Sequence, residues 1–128
     1  MMNPAKSLEI KLGYTFTDQA LLVQALTHRS YPTKTHNERL EFLGDAVLSL
    51  VISRWMYEQY PALSEGKLTR LRAQLVNKDT LQILATEYQI SDYILAGSNE
   101  KKDQNNQYQA SILVNTFEAI IAAIYLDR

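Results

Sequence analysis

The sequence predicts an all-α domain, and three observations predict it. Apolar residues recur at three- and four-residue spacing along most of the chain, residues that cap helices stand just ahead of those runs, and no stretch alternates in the manner of a strand. Thr17 and Asp18 suit an N-cap and first turn for a helix over residues 19–27, with Leu21, Leu22, Ala25 and Leu26 as its apolar stripe. Residues 33–36 are polar, follow Pro32 and read as a loop. A long helix is expected over residues 37–60, stopping before Pro61 because the residue ahead of a proline is biased away from helical angles. Ser64 can cap the next helix, which runs through Leu75. Asn77 or Lys78 opens another, with Leu81, Ile83, Leu84 and Tyr88 as its apolar content. Residues 97–109 are too polar to offset the entropy of ordering them, so a mobile loop is expected there. The last helix, over residues 110–126, is apolar on most sides and should lie buried.

A chain of 128 residues suits a single domain over residues 1–128, with no internal repeat and no linker. There is no cysteine, which excludes disulfides and thiolate metal sites, and two histidines, His28 and His36, argue against a histidine-rich metal centre. The first six residues carry no apolar run of the secretory kind, and no segment is expected to be long and apolar enough to cross a membrane. A cytoplasmic location is the simplest expectation.

The chemistry concentrates in the long helix. Glu38, Glu41 and Asp45 fall at spacings of three and four, so at ~100° per residue they share one stripe. Leu40, Leu43, Val47, Leu50 and Val51 are expected on the opposite side. A solvated face normally mixes signs, because like charges at these spacings repel. The cluster therefore suggests a site that wants a cation; the alternative is an exposed acidic face. Phe42 lies near the acidic stripe rather than the core stripe, which suits contact with a partner. Gly44 permits a close approach, by either the facing helix or that partner. Trp55, Met56 and Tyr57 read as core or interface packing.

The run Asn37-Glu38-Arg39-Leu40-Glu41-Phe42-Leu43-Gly44-Asp45 resembles the signature of the ribonuclease III family, the double-strand-specific endoribonucleases. The resemblance extends to Ala25-Leu26-Thr27-His28-Arg29-Ser30-Tyr31 before it. After it come Glu65-Gly66-Lys67-Leu68-Thr69-Arg70-Leu71-Arg72, Leu75-Val76-Asn77, Ser111-Ile112-Leu113 and Phe117-Glu118-Ala119-Ile120-Ile121. It covers nearly the whole chain, from about Leu8 to Leu126, and is similar to the bacterial-type nuclease domain, standing without the double-stranded-RNA-binding domain that usually follows. The resemblance implies that family's helical fold around a long central helix, and an enzyme that cuts double-stranded RNA to 5′-phosphate and 3′-hydroxyl ends. It implies metal ligands at Glu41, Asp45, Asn115 and Glu118, with Asp45 and Glu118 catalytic. The cofactor would be Mg²⁺, with Mn²⁺ able to substitute, and no organic cofactor. Mg²⁺ suits the task because it takes oxygen ligands, activates water and neutralises charge on a reacting phosphate. Glu38 and Glu65 take supporting roles in the cleft, and Phe42 plugs a cavity on a second subunit of a homodimer. His28 is left a capping or hydrogen-bonding role, since the chemistry belongs to the metal.

Two departures qualify that picture. The family has Asp where this chain has Asn115, which keeps one carbonyl oxygen but removes a negative charge from the metal's ligands. The glycine-rich, arginine-containing approach to Ser111 is replaced by Asn105-Asn106-Gln107-Tyr108-Gln109-Ala110. A catalytically inactive RNA-binding or assembly module is thus the alternative to an active nuclease. The net charge of −1 is awkward for RNA, whose binding rests on Lys and Arg displacing counterions. Lys67, Arg70, Arg72 and Lys78 against Glu65 form the local exception, with one of Arg70 and Arg72 expected to reach phosphate or the acids and the other solvent.

Overall fold

The computed structural model describes residues 4–128, and those residues fold into six α-helices and one 3₁₀ turn: α1 (Pro4–Leu12), α2 (Gln19–Leu26), α3 (Glu38–Gln59), α4 (Glu65–Leu75), α5 (Lys78–Glu87), the turn Ile90–Tyr93, and α6 (Ala110–Asp127). The only extended pairing among them is an isolated parallel bridge between Thr27 and Leu95. The expected all-α class therefore holds.

Helix α6 forms the centre, with α2, α3 and α5 packed around it. Residues on several sides of it are buried, among them Leu113, Thr116, Phe117, Ile120 and Ala123, which is why its sequence is apolar nearly all round. By length and composition alone this helix is apolar enough to cross a membrane, which corrects the expectation that no segment would be. Its burial within the domain accounts for that composition.

The expected caps form. The Asp18 side chain accepts from Ala20 N–H, Ser64 Oγ from Lys67 N–H and Asn77 Oδ1 from Thr80 N–H, each meeting an orphan donor of the first turn. Helix α2 stops one residue short of expectation, because Thr27 turns extended to bridge Leu95. Helix α1 was not anticipated from the sequence. It ends at Gly13, whose positive φ of 71° lets Gly13 and Tyr14 N–H both reach the Glu9 carbonyl. The buried Glu9 carboxylate accepts from Phe16 N–H and Gln19 Nε2, tying α1 to α2.

Residues 97–109 are irregular, as expected, yet closely hydrogen-bonded. The Asp103 carboxylate accepts from Asn105 and Gln107 N–H, and Asn106 adopts a left-handed φ of 63°. Buried Ser91 takes the Tyr108 N–H and gives its hydroxyl to Gln107 Oε1, fastening the loop to the 3₁₀ turn.

The stripe expected on α3 needs correction. Leu40 and Met56 are buried and Leu43 and Leu48 pack on the core, but Leu50 and Val51 are 66% and 57% exposed. Half of the helix's apolar content thus faces away from the core of its own chain.

Candidate active site

Helices α3 and α6 make the most extensive pairing in the fold, and Gly44 sets how closely they pass. A Cβ built on Gly44 would lie 1.8 Å from the Glu118 carbonyl oxygen and 2.5 Å from its carbonyl carbon. No side chain larger than hydrogen fits that space, so the backbones meet directly. The close approach that the sequence left open is therefore made by the facing helix. Its consequence is that Glu118, on α6, lies beside Asp45 and Glu41, the residues following and one turn before Gly44 on α3.

Glu38, Glu41, Phe42, Asp45 and Glu118 line one open cleft of about 370 Å³. The acids in it perturb one another. Burial, then the charge of Asp45, a hydrogen bond with Asp45 and the charge of Glu41 push the Glu118 carboxyl up to about 7. Burial and the charges of Glu38 and Asp45 push Glu41 up as well, opposed by the positive charge of Arg29. Among the described residues the ion pairs are Arg29–Glu38 and Arg54–Glu58, with His36 Nε2 3.9 Å from Glu38, so none reaches Glu41, Asp45 or Glu118. A cluster of uncompensated carboxylates is the donor chemistry of a hard divalent cation. The fit is one of chemistry rather than of finished geometry, since no three His, Asp or Glu side chains among the described residues already stand at metal-binding separation.

The other expected site residues fall as follows. Asn115 is half-buried one turn before Glu118, and is not among the residues lining the acidic cleft. Glu65 lies at the start of α4, in a groove with Ser53, Met56, Tyr57 and Arg72, so one chain does not bring it to that cleft. Arg72 donates to Ser53 Oγ at 2.8 Å and Arg70 is exposed; neither pairs with the acids of the cleft, so the acid half of that expectation is not met within the chain. His28 holds the hydrogen-bonded role expected of it, with Nδ1 2.7 Å from Ser30 Oγ. Phe42 is 81% exposed at the edge of a second hollow, about 600 Å³, whose walls include Leu21, Leu40, Leu43 and Leu126. Sequence reasoning missed two features: this hollow, whose walls come from three helices, and Arg29, whose charge reaches Glu41 across the α2–α3 connection.

Residues 18–128 match the family model described as ribonuclease-III-like. Ribonuclease 3 of Pseudomonas paraeruginosa is 52% identical over 127 residues, which is 99% of this chain and 55% of that protein. Ribonuclease 3 of Shewanella denitrificans is 52% identical over 129 residues, 98% of this chain and 56% of that protein. The chain thus spans about half the length of the curated relatives it matches. Among solved structures, the nuclease domain of ribonuclease III from Campylobacter jejuni, described for flexibility in its region involved in dimer formation, superposes with a TM-score of 0.88 at 42% identity, covering 95% of this chain and 85% of that one. Dicer from Pichia stipitis superposes with a TM-score of 0.67 at 34% identity, covering 89% of this chain and 48% of that one.

Proposed function

The chain belongs to the ribonuclease III-like family, and from that premise we propose that it is a nuclease domain that hydrolyses double-stranded RNA, leaving 5′-phosphate and 3′-hydroxyl ends. The observation that carries this reading is the contact between Gly44 and the Glu118 backbone, which gathers carboxylates from two helices into one cleft. Glu41, Asp45 and Glu118, with the carbonyl oxygen of Asn115, would hold Mg²⁺ or Mn²⁺. When bound, that ion supplies water activation and neutralises charge on the reacting phosphate. Asp45 and Glu118 are the proposed catalytic acids, one from each of the two helices that meet at Gly44. Glu118 would serve as a ligand in its deprotonated form. Glu38 borders the cleft in a supporting role.

The two-strand substrate calls for two sites, and a two-fold dimer supplies them. Phe42 and the hollow beside it form a knob and a socket on the same surface, the self-complementary arrangement that a two-fold interface requires. Glu65 reaches a cleft only if a second copy carries it there.

A second reading is favoured by one observation. Asn115 is uncharged and absent from the cleft lining; on this reading the chain would keep the fold with a weakened metal site and serve as an RNA-binding or assembly module. Incubation of duplex RNA with the chain and with Asn115→Asp, in Mg²⁺ and in Mn²⁺, separates the two. Cleavage by both supports the nuclease. Cleavage by the Asp form alone establishes the module, and cleavage by neither removes the nuclease reading.

A further inference from the structure

Arg29 stands on backbone that is fastened from both sides. His28 N–H donates to the Leu95 carbonyl at 2.8 Å. Ser30 N–H donates to His28 Nδ1 at 3.1 Å, and the Ser30 hydroxyl lies 2.7 Å from the same nitrogen while accepting Gly97 N–H at 2.8 Å. Gly97 lies so close that a Cβ there would sit 2.5 Å from the Ser30 carbonyl oxygen. On the other side, the N–H of buried Asn37 donates to the Thr27 carbonyl and its Nδ2 to that of Ala25, each at 3.0 Å, which fixes the segment against the start of α3.

All this order supports a side chain that does little for the fold. Arg29 is 68% exposed, and its bond to Glu38, itself half exposed, is 3.4 Å, longer than a good charge-assisted contact. Exposed pairs of this kind contribute little to stability. Yet Glu38 borders the acidic cleft, whose other charged groups are Glu41, Asp45 and Glu118. A polyanion entering an all-acidic cleft needs a fixed cation at its edge, and a guanidinium offers paired N–H donors matched to phosphate oxygens.

On the RNA-cleavage reading above, we propose that Arg29 is a substrate-positioning residue: its guanidinium exchanges Glu38 for a backbone phosphate of the duplex at the edge of the cleft. Glu38 is then the group that holds Arg29 in place while the cleft is empty of RNA.

The test is duplex-RNA affinity over a salt series, with Ca²⁺ replacing Mg²⁺ so that the duplex stays intact, for the wild-type chain, Arg29→Gln, Glu38→Gln and the double variant. Arg29→Gln is expected to weaken binding roughly 3- to 10-fold and to reduce the slope of log affinity against log salt by about one, the signature of one lost phosphate contact. Glu38→Gln is expected to tighten binding in the wild-type background and to do nothing once Arg29 is gone. Calorimetry should show Mg²⁺ binding undiminished in Arg29→Gln. The assignment is overturned if Arg29→Gln leaves affinity and slope unchanged, if affinity falls with the slope intact, or if Glu38→Gln acts equally in both backgrounds. A wild-type chain that binds no duplex at low salt removes the RNA reading itself, and this assignment with it, an outcome distinct from failure of the variants alone.

Discussion

Replacing Glu118 with glutamine should stabilise the metal-free protein, and should do so only at neutral and higher pH. The Glu118 carboxyl is raised from an ordinary 4.5 to about 7, so the folded state holds a proton that the unfolded chain has already released. Between those values stability falls as pH rises, because the folded state binds more protons than the unfolded one. The penalty is absent below about 4.5 and complete above about 7. Each pKa unit corresponds to ~1.4 kcal/mol, which sets a ceiling of ~3 kcal/mol. The carboxyl faces an open cleft, and screening by water reduces the recoverable part to ~1–2 kcal/mol. Glutamine never ionises, and its amide can donate to Asp45 where the protonated acid did. Urea unfolding in EDTA should therefore show Glu118→Gln more stable than wild type by ~1–2 kcal/mol at pH 8, with the difference closing at pH 4.5. Added Mg²⁺ should reverse the order, stabilising wild type by mass action and leaving the variant unmoved. A variant less stable than wild type at pH 8 in EDTA, or one equally favoured at both pH values, would refute the reasoning.

Three further outcomes follow from the same geometry. Phe42→Ala should weaken a dimer by ~1.5–3 kcal/mol per buried ring, or 10²- to 10⁴-fold when both copies lose one, measured by sedimentation. Gly44→Ala, which drives a methyl into the Glu118 carbonyl, should cost about 3 kcal/mol or more in urea unfolding and lower Mn²⁺ affinity in whatever folds. Asp127 accepts from Tyr14 Oη, Thr17 N–H and Asp18 N–H, and these bonds hold its carboxyl below its ordinary value. Its stabilisation is present above that ordinary value and lost as pH falls through the lowered one, so Asp127→Asn should melt earlier than wild type at pH 7 and level with it in strong acid, by thermal scans.

The fold was legible where a local rule decides it. Asp18, Ser64 and Asn77 cap the helices they precede because capping needs only a side-chain oxygen and the next turn's N–H groups. Helix α1 was not legible, since its placement depends on the Glu9 carboxylate reaching Phe16 and Gln19 across a turn made by Gly13. The order within residues 97–109 was hidden for a similar reason. It rests on Ser91, which is fixed by a different segment.

The candidate site divides along the same line, with one instructive failure. Spacing alone placed Glu38, Glu41 and Asp45 on one stripe of α3, and the resemblance supplied Glu118; the structure brings all four to one cleft. Spacing could not say which apolar residues of α3 face the core, and it assigned Leu50 and Val51 to the buried side. Periodicity reports only that a helix is apolar in some direction; it does not distinguish burial in the same chain from burial in another. Phe42, Leu50 and Tyr57 are all more than half exposed and fall within about 80° of one another around α3, whereas Val51, also more than half exposed, points to another side. The hollow beside Phe42 is where the proposed dimer would take up the first of them. In the proposed two-fold dimer, the second copy would bury the part of that apolar content nearest Phe42.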